Sequence, residues 1–321
     1  MQPQPVITVL AGNKPVTGLC ELQREAEVRV TDAAGLPHAL AGADILYLWD
    51  FFADGVRRAW PAAGSLQWIH VPAAGVDKLM FPELVASDVV LTNARGVFDR
   101  PMAEHVLAAL LHFAKNFGRA LAQQQQKQWN RYATSDLAGA SVLVAGTGSI
   151  GRCTARLLTA VGMQVQGLGR TARTGDPDFG TVHASADFAA VAGNFDYVVL
   201  AAPLTPASRG MLGREVLAAL KPTAVVINVG RGALADEAAL EEALRTGQLA
   251  GAALDVFETE PLPESSGLWA LENVLITPHL SGDATHQLPL LAQQFADNLA
   301  AWKSGRPMMN VVDKKLGFVA S

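Results

Sequence analysis

Three side chains of complementary chemistry each follow an apolar run in the second half of the chain. Arg231 lies in Ile227-Asn228-Val229-Gly230-Arg231-Gly232. Glu260 lies in Asp255-Val256-Phe257-Glu258-Thr259-Glu260-Pro261-Leu262-Pro263, and His279 in Thr277-Pro278-His279-Leu280-Ser281-Gly282. If each run is a strand of an open α/β sheet, all three residues fall beyond carboxyl ends, where such sheets bind ligands. Histidine exchanges protons near neutral pH. A carboxylate beside it favours the imidazolium and fixes one tautomer. Arginine grips a carboxylate with a two-pronged fork and polarises a neighbouring carbonyl. The set suits reduction of a 2-keto acid, which needs a hydride at carbon and a proton at oxygen. Singly, each is an ordinary loop residue; their joint placement carries the reading.

A hydride needs a donor, and the chain has a place for one. Val142-Leu143-Val144-Ala145 runs into Gly146-Thr147-Gly148-Ser149-Ile150-Gly151, and an amphipathic segment follows to Val161. Strand, G-x-G-x-x-G and helix in that order form a dinucleotide-binding loop. Its glycines serve a tight turn, a close backbone approach to pyrophosphate and helix–strand packing. The helix N-terminus offers N–H groups and a positive dipole end to the phosphates. An acidic residue that selects NAD is expected about 20 residues past such a loop. The chain instead reads Val165-Gln166-Gly167-Leu168-Gly169-Arg170-Thr171-Ala172-Arg173. Arg170 and Arg173 suit neutralisation of a 2′-phosphate, and Thr171 suits a hydrogen bond to it. NADP(H) is therefore the expected cofactor, with NAD(H) tolerated.

The elements that must position these residues are legible as alternating runs. Val6–Leu10, Val28–Val30, Ile45–Leu48, Trp68–Val71 and Val89–Leu91 are expected strands. Leu19–Glu27, Asp54–Trp60 and Phe81–Ala86 are expected helices among them. One long helix is expected from Pro101 to Gln128, with Asp99 as its N-cap. Six further strands follow: Val142–Ala145, Val165–Leu168, Tyr197–Ala201, Val225–Val229, Gly251–Val256 and Val274–Ile276. Helices are expected at Glu215–Leu220, at Asp236–Thr246 and, crossing back to the first domain, at Leu288–Trp302. The fold class is α/β with two doubly wound parallel sheets.

Bulk properties narrow the function classes. The chain has 321 residues, half of them hydrophobic and 17% charged, enough for two cored domains. Net charge is −5 with no basic run, which argues against nucleic acid as a partner. Cys20 and Cys153 have no metal-ligand spacing and fit reduced thiols of a cytoplasmic protein; no metal is expected. Met1-Gln2-Pro3-Gln4-Pro5 lacks the basic and apolar regions of a signal peptide, and no run is long enough to span a membrane.

The four motifs GTGSIG, INVGRGAL, DVFETEPLP and TPHLSG resemble, in order and spacing, those of the D-isomer-specific 2-hydroxyacid dehydrogenases. Ala73-Ala74-Gly75-Val76-Asp77, Thr92-Asn93-Ala94-Arg95-Gly96-Val97, Met102-Ala103-Glu104-His105, Arg306-Pro307 and Asn310-Val311-Val312-Asp313 extend the resemblance over nearly the whole chain. It implies a flavodoxin-like substrate domain, 1–98 plus 284–321, into which a Rossmann domain, 99–283, is inserted. A cleft between them would close over substrate. Arg231 would bind the substrate carboxylate and carbonyl, Glu260 would pair with His279, and His279 would act as acid in reduction and base in oxidation. Backbone N–H groups of Gly75 and Val76 would hold the carboxylate. Gly146 through Gly151, Gly169, Arg170, Thr171, Arg173, Ala202, Pro203, Val229, Asp255, His279 and Gly282 would line the cofactor.

Gly169 takes the place where the family's NAD enzymes carry aspartate. Trp49 is similar to a pocket tryptophan of glyoxylate and hydroxypyruvate reductases, with core packing as the alternative. Phe98 stands where formate dehydrogenases of the superfamily carry asparagine, which argues against formate. A homodimer acting on small 2-keto or 2-hydroxy acids is implied. The family's dinucleotide-sensing corepressors supply the rival reading, a binding protein without significant turnover.

Overall fold

The computed structural model describes residues 4–12, 15–50 and 55–320. Two compact units emerge: residues 1–97 with 284–321, and residues 98–283.

The first unit is a parallel five-stranded sheet in the order β2-β1-β3-β4-β5. Its strands are β1 (Val6–Leu10), β2 (Glu27–Thr31), β3 (Ile45–Tyr47), β4 (Trp68–Val71) and β5 (Val90–Asn93). This is the flavodoxin-like order. The strands β3 and β4 are wholly buried, which suits a sheet covered on both faces. The helices are α1 (Leu19–Glu25), α2 (Leu36–Leu40), α3 (Val56–Ala59) and α4 (Pro82–Val85). The expected helix at Asp54–Trp60 shortens to α3 and a 3-10 turn at Trp60–Ala62; Asp54 lies outside the described residues. The helix α2 is an addition to the expected elements, and Pro37 sits in its first turn.

The core of this unit is aromatic. Phe295 stacks on Tyr47 at 3.9 Å and on Trp68 at 5.1 Å between ring centroids. His70 is fully buried among them, its Nδ1 2.8 Å from Thr92 Oγ1, and burial pushes its pKa down to about 3. Phe295 belongs to the last helix, α11 (Gln287–Lys303). Beyond α11, Val311 bridges antiparallel to Thr92 of β5. Lys314 Nζ donates to the carbonyls of Leu84, Ser87 and Val89.

The second unit opens with α5 (Asp99–Ala114) and α6 (Phe117–Gln125) rather than one long helix. The break is local: Asn116 takes a left-handed conformation, φ 50°, and its side chain accepts the Arg119 N–H to cap α6. Asp99 is the first helical residue and not the cap, which falls at Phe98. The sheet that follows runs β13-β12-β11-β10-β6-β7-β9-β8. Six of its strands match expected runs: β6 (Ser141–Ala145), β7 (Gln164–Gly169), β10 (Tyr197–Leu200), β11 (Val225–Asn228), β12 (Gly251–Leu254) and β13 (Val274–Ile276).

Two strands were not expected, β8 (Arg173–Asp176) and β9 (Gly180–Ala184). β9 pairs parallel with β7, and β8 closes the edge antiparallel to it. Only Val182 of β9 and Asp176 of β8 are buried, so neither strand shows an apolar run. From β9 through β12 the sheet has the Rossmann order, strands 3-2-1-4-5-6, with β13 added beyond. Crossing helices are α7 (Ser149–Ala160), α8 (Phe188–Ala192), α9 (Arg214–Ala219) and α10 (Glu237–Arg245). Asp236 caps α10 by accepting the Ala239 N–H at 3.0 Å.

Candidate active site

The glycine loop is built as a dinucleotide cradle. β6 buries Val142 through Ala145 and delivers Gly146 at φ 113° against the next strand's end. A Cβ on Gly146 would lie 2.5 Å from the Ala201 carbonyl oxygen, and one on Gly151 would collide with the Gly146 carbonyl. Any side chain at either position would force the turn or helix α7 away from the sheet. Gly148 instead faces open space, with nothing within 4 Å of where its Cβ would be, and no side chain caps α7. The first N–H groups of α7, from Ser149 and Ile150, thus stand where a pyrophosphate would accept from them. These features fit a dinucleotide.

Arg231 follows β11, whose four residues are all buried. Asn228 ends that strand and shapes the turn: its Nδ2 donates to the Arg231 carbonyl at 3.0 Å and its Oδ1 accepts the Gly230 N–H at 3.1 Å. The Arg231 guanidinium donates to the Gly230 carbonyl at 2.8 Å. A Cβ on Gly232 would collide with the Phe257 carbonyl, so the Arg231 turn and the loop that carries Glu260 are in backbone contact.

Glu260 and His279 meet directly. Glu260 Oε2 lies 2.7 Å from His279 Nδ1, and its Oε1 accepts the Phe257 N–H at 3.0 Å. Both side chains are about one-third exposed, at 33% and 32%. Partial burial works to raise the Glu260 carboxyl. The hydrogen bonds from His279 and Phe257, with the nearby Arg231 charge, outweigh it and hold the group below its ordinary value.

His279 has φ 53°, a conformation uncommon for a non-glycine residue. Asp255 holds it there. The His279 N–H donates to the Asp255 carbonyl at 2.9 Å. The Asp255 carboxylate accepts from Thr277 Oγ1 at 2.6 Å and from the N–H groups of Leu280 and Ser281, each at 2.9 Å. Asp255 is 1% exposed; burial works to raise its carboxyl, but these donors prevail and lower it. Its side chain thereby fixes the histidine loop, a positioning task.

The other candidate residues are distributed as follows. Ala202 and Pro203 follow β10, and Val229 follows β11, buried at 2%. A Cβ on Gly282 would sit 2.8 Å from the ring of Phe98, which is itself buried. Arg170 and Thr171 are exposed in the connection from β7 to β8. The Arg173 guanidinium pairs with Asp176 at 2.9 Å through Nε and again through Nη2.

In the first unit, Gly75 and Val76 lie in the turn after β4, and neither N–H makes a hydrogen bond among the described residues. Asn93 Nδ2 donates to the Ala74 carbonyl at 2.6 Å, and the Ala94 N–H donates to Ala73 at 3.0 Å, bracing that turn. Trp49 is 5% exposed, edge-on to Tyr47, with its indole N–H donated to the Pro15 carbonyl at 2.9 Å. Within its own unit Trp49 thus packs as a core side chain, the alternative that its sequence context also offers. No group of three or more metal-ligating side chains is placed to hold a metal among the described residues.

Sequence reasoning did not single out Asn228, Asn93 or Asp176. For the two asparagines a signal exists, a polar residue closing an otherwise apolar strand. Asp176 gives none, because its partner Arg152 lies 24 positions away.

Residues 107–281 match the family model of the D-isomer specific 2-hydroxyacid dehydrogenase, NAD binding domain. A glycerate dehydrogenase from Methylorubrum extorquens is 30% identical over 259 residues, 78% of this chain and 79% of that protein. A D-isomer specific 2-hydroxyacid dehydrogenase from Xanthobacter autotrophicus, solved with NADPH and MES, superimposes with a TM-score of 0.85 at 30% identity, covering 98% and 100% of the two chains. An NADPH-dependent glyoxylate/hydroxypyruvate reductase from Sinorhizobium meliloti, solved with NADP and sulfate, gives 0.85 at 29% identity over 98% and 100%. The chain belongs to the D-isomer-specific 2-hydroxyacid dehydrogenase family.

Proposed function

We propose that the protein is an NADPH-dependent reductase of short 2-keto acids, with glyoxylate and hydroxypyruvate the first substrates to test. The observation that carries this is the 2.7 Å contact between Glu260 and His279 on a loop fixed by Asp255. The cofactor, when bound, supplies the hydride. The residues do the rest. Arg231 binds the substrate carboxylate and polarises its carbonyl. Glu260 accepts the Nδ1 proton of His279, so Nε2 is the atom that delivers a proton to the developing alkoxide. Backbone N–H groups of Gly75 and Val76 hold the carboxylate. The glycine loop holds the pyrophosphate, and Arg170 and Thr171 favour a 2′-phosphate. The reductase direction is the one that an NADPH preference suits.

A panel of 2-keto acids assayed with NADPH and NADH tests this reading. Turnover of at least one short acid, faster with NADPH, is expected. His279→Gln should then lose roughly a hundredfold or more in kcat, the scale of general acid catalysis. Absence of turnover with every acid would instead favour a dinucleotide sensor. A homodimer is also proposed, supported by the exposure of Phe117, Leu121 and Trp129, at 50%, 57% and 95%. Sedimentation should read twice the 33.8 kDa chain mass, and a monomer at micromolar concentration would reject it.

A further inference from the structure

The connection that carries Arg170 and Thr171 is three residues long and held at both ends. Upstream, Gly169 closes β7 under Thr147 and Val182, which a Cβ would meet at 3.2 and 3.3 Å. Downstream, Arg173 opens β8 and pairs with Asp176. The Asp176 side chain is only 3% exposed. Arg152, in the first turn of α7, grips it with both prongs, Nη1 to Oδ1 and Nη2 to Oδ2, each at 2.9 Å.

The same turn is fastened twice more. Asp178 Oδ2 accepts from Arg152 Nη1 at 2.7 Å and its Oδ1 from Arg156 at 3.2 Å. Phe179, 2% exposed, lies on Gly167 of β7 with the Arg152 guanidinium 5.5 Å from its ring centre. A buried carboxylate is costly unless its partners are well placed, and here the Arg152 fork meets both of its oxygens. The Arg152 hydrogen bond is the main reason that the Asp176 carboxyl stays well below the usual carboxylate range, so it remains ionised across neutral pH.

We propose that Arg152 is a positioning residue for cofactor choice: acting through Asp176, it fixes Arg173 and residues 170–172 against the first turn of α7. One helix then sets the place of both anionic groups of the ligand. Its N-terminus meets the pyrophosphate, and its first-turn arginine holds the segment that meets the 2′-phosphate. Sequence spacing hides this, because Arg152 reads as a helix surface charge. The inference rests on the NADPH preference proposed above.

Calorimetry on the full chain with 2′-phospho-ADP-ribose and ADP-ribose, which differ only in the 2′-phosphate, provides the test. The wild type is expected to bind the phosphorylated compound more tightly. Arg152→Met should weaken that compound about tenfold, the scale of a loop displaced by a fraction of an ångström, and change ADP-ribose less than twofold. Arg152→Lys keeps the charge without the fork and should recover part of the loss. Asp176→Asn should follow Arg152→Met. Equal weakening of both compounds, or of neither, in Arg152→Met would overturn the positioning role while leaving the wild-type preference intact. A wild type that binds both compounds equally would overturn the NADPH reading itself.

Discussion

Glu260 divides its two oxygens between a backbone N–H and an imidazole, and the division separates geometry from charge. Glutamine at that position can still accept from Nδ1, but it carries no charge to favour the imidazolium. In the proposed reduction His279 delivers the proton, so activity should fall as pH rises. Glu260→Gln should therefore move this basic limb to lower pH. A limb that stays in place would show that the carboxylate orients His279 without influencing its proton. Glu260 is itself held below its ordinary value and stays ionised through the neutral range. Asp255 acts one residue further back, on the loop conformation that His279 must adopt at φ 53°.

At the scale of elements, the strands that carry the chemistry were the most legible. β6, β11 and β12 are short, mostly apolar runs, and their ends place the glycine loop, Arg231 and the Glu260 loop. The β8–β9 hairpin was not legible, because ion pairs and one phenylalanine hold it rather than an apolar stripe. The break between α5 and α6 was missed for a similar reason. The pattern from Pro101 to Gln128 stays helix-compatible, and a single left-handed asparagine redirects the chain. Trp49 shows what sequence leaves open for a site residue: its type suits a pocket or a core, and only the structure shows its N–H donated to the Pro15 carbonyl.

Over the whole molecule, the first unit is assembled from sequence that is far apart. Phe295, Val311 and Lys314 complete a sheet whose strands end at Asn93. Removing one such buried aromatic costs about 3–5 kcal/mol, and here the whole stack and its edge pairing depend on the distal segment. During synthesis the five strands leave the ribosome early and must wait, with the Tyr47 and Trp68 faces uncovered, until some two hundred further residues have been made. The inserted unit has no such dependence and can close first. A chain stopped at Asp283 should therefore keep residues 98–283 resistant to protease while residues 4–97 are digested. Equal resistance of both parts would show that the N-terminal sheet does not need its distant lid. The order in which the protein is made is then the reverse of the order in which its first sheet is finished, and that interval is where a holding chaperone would act.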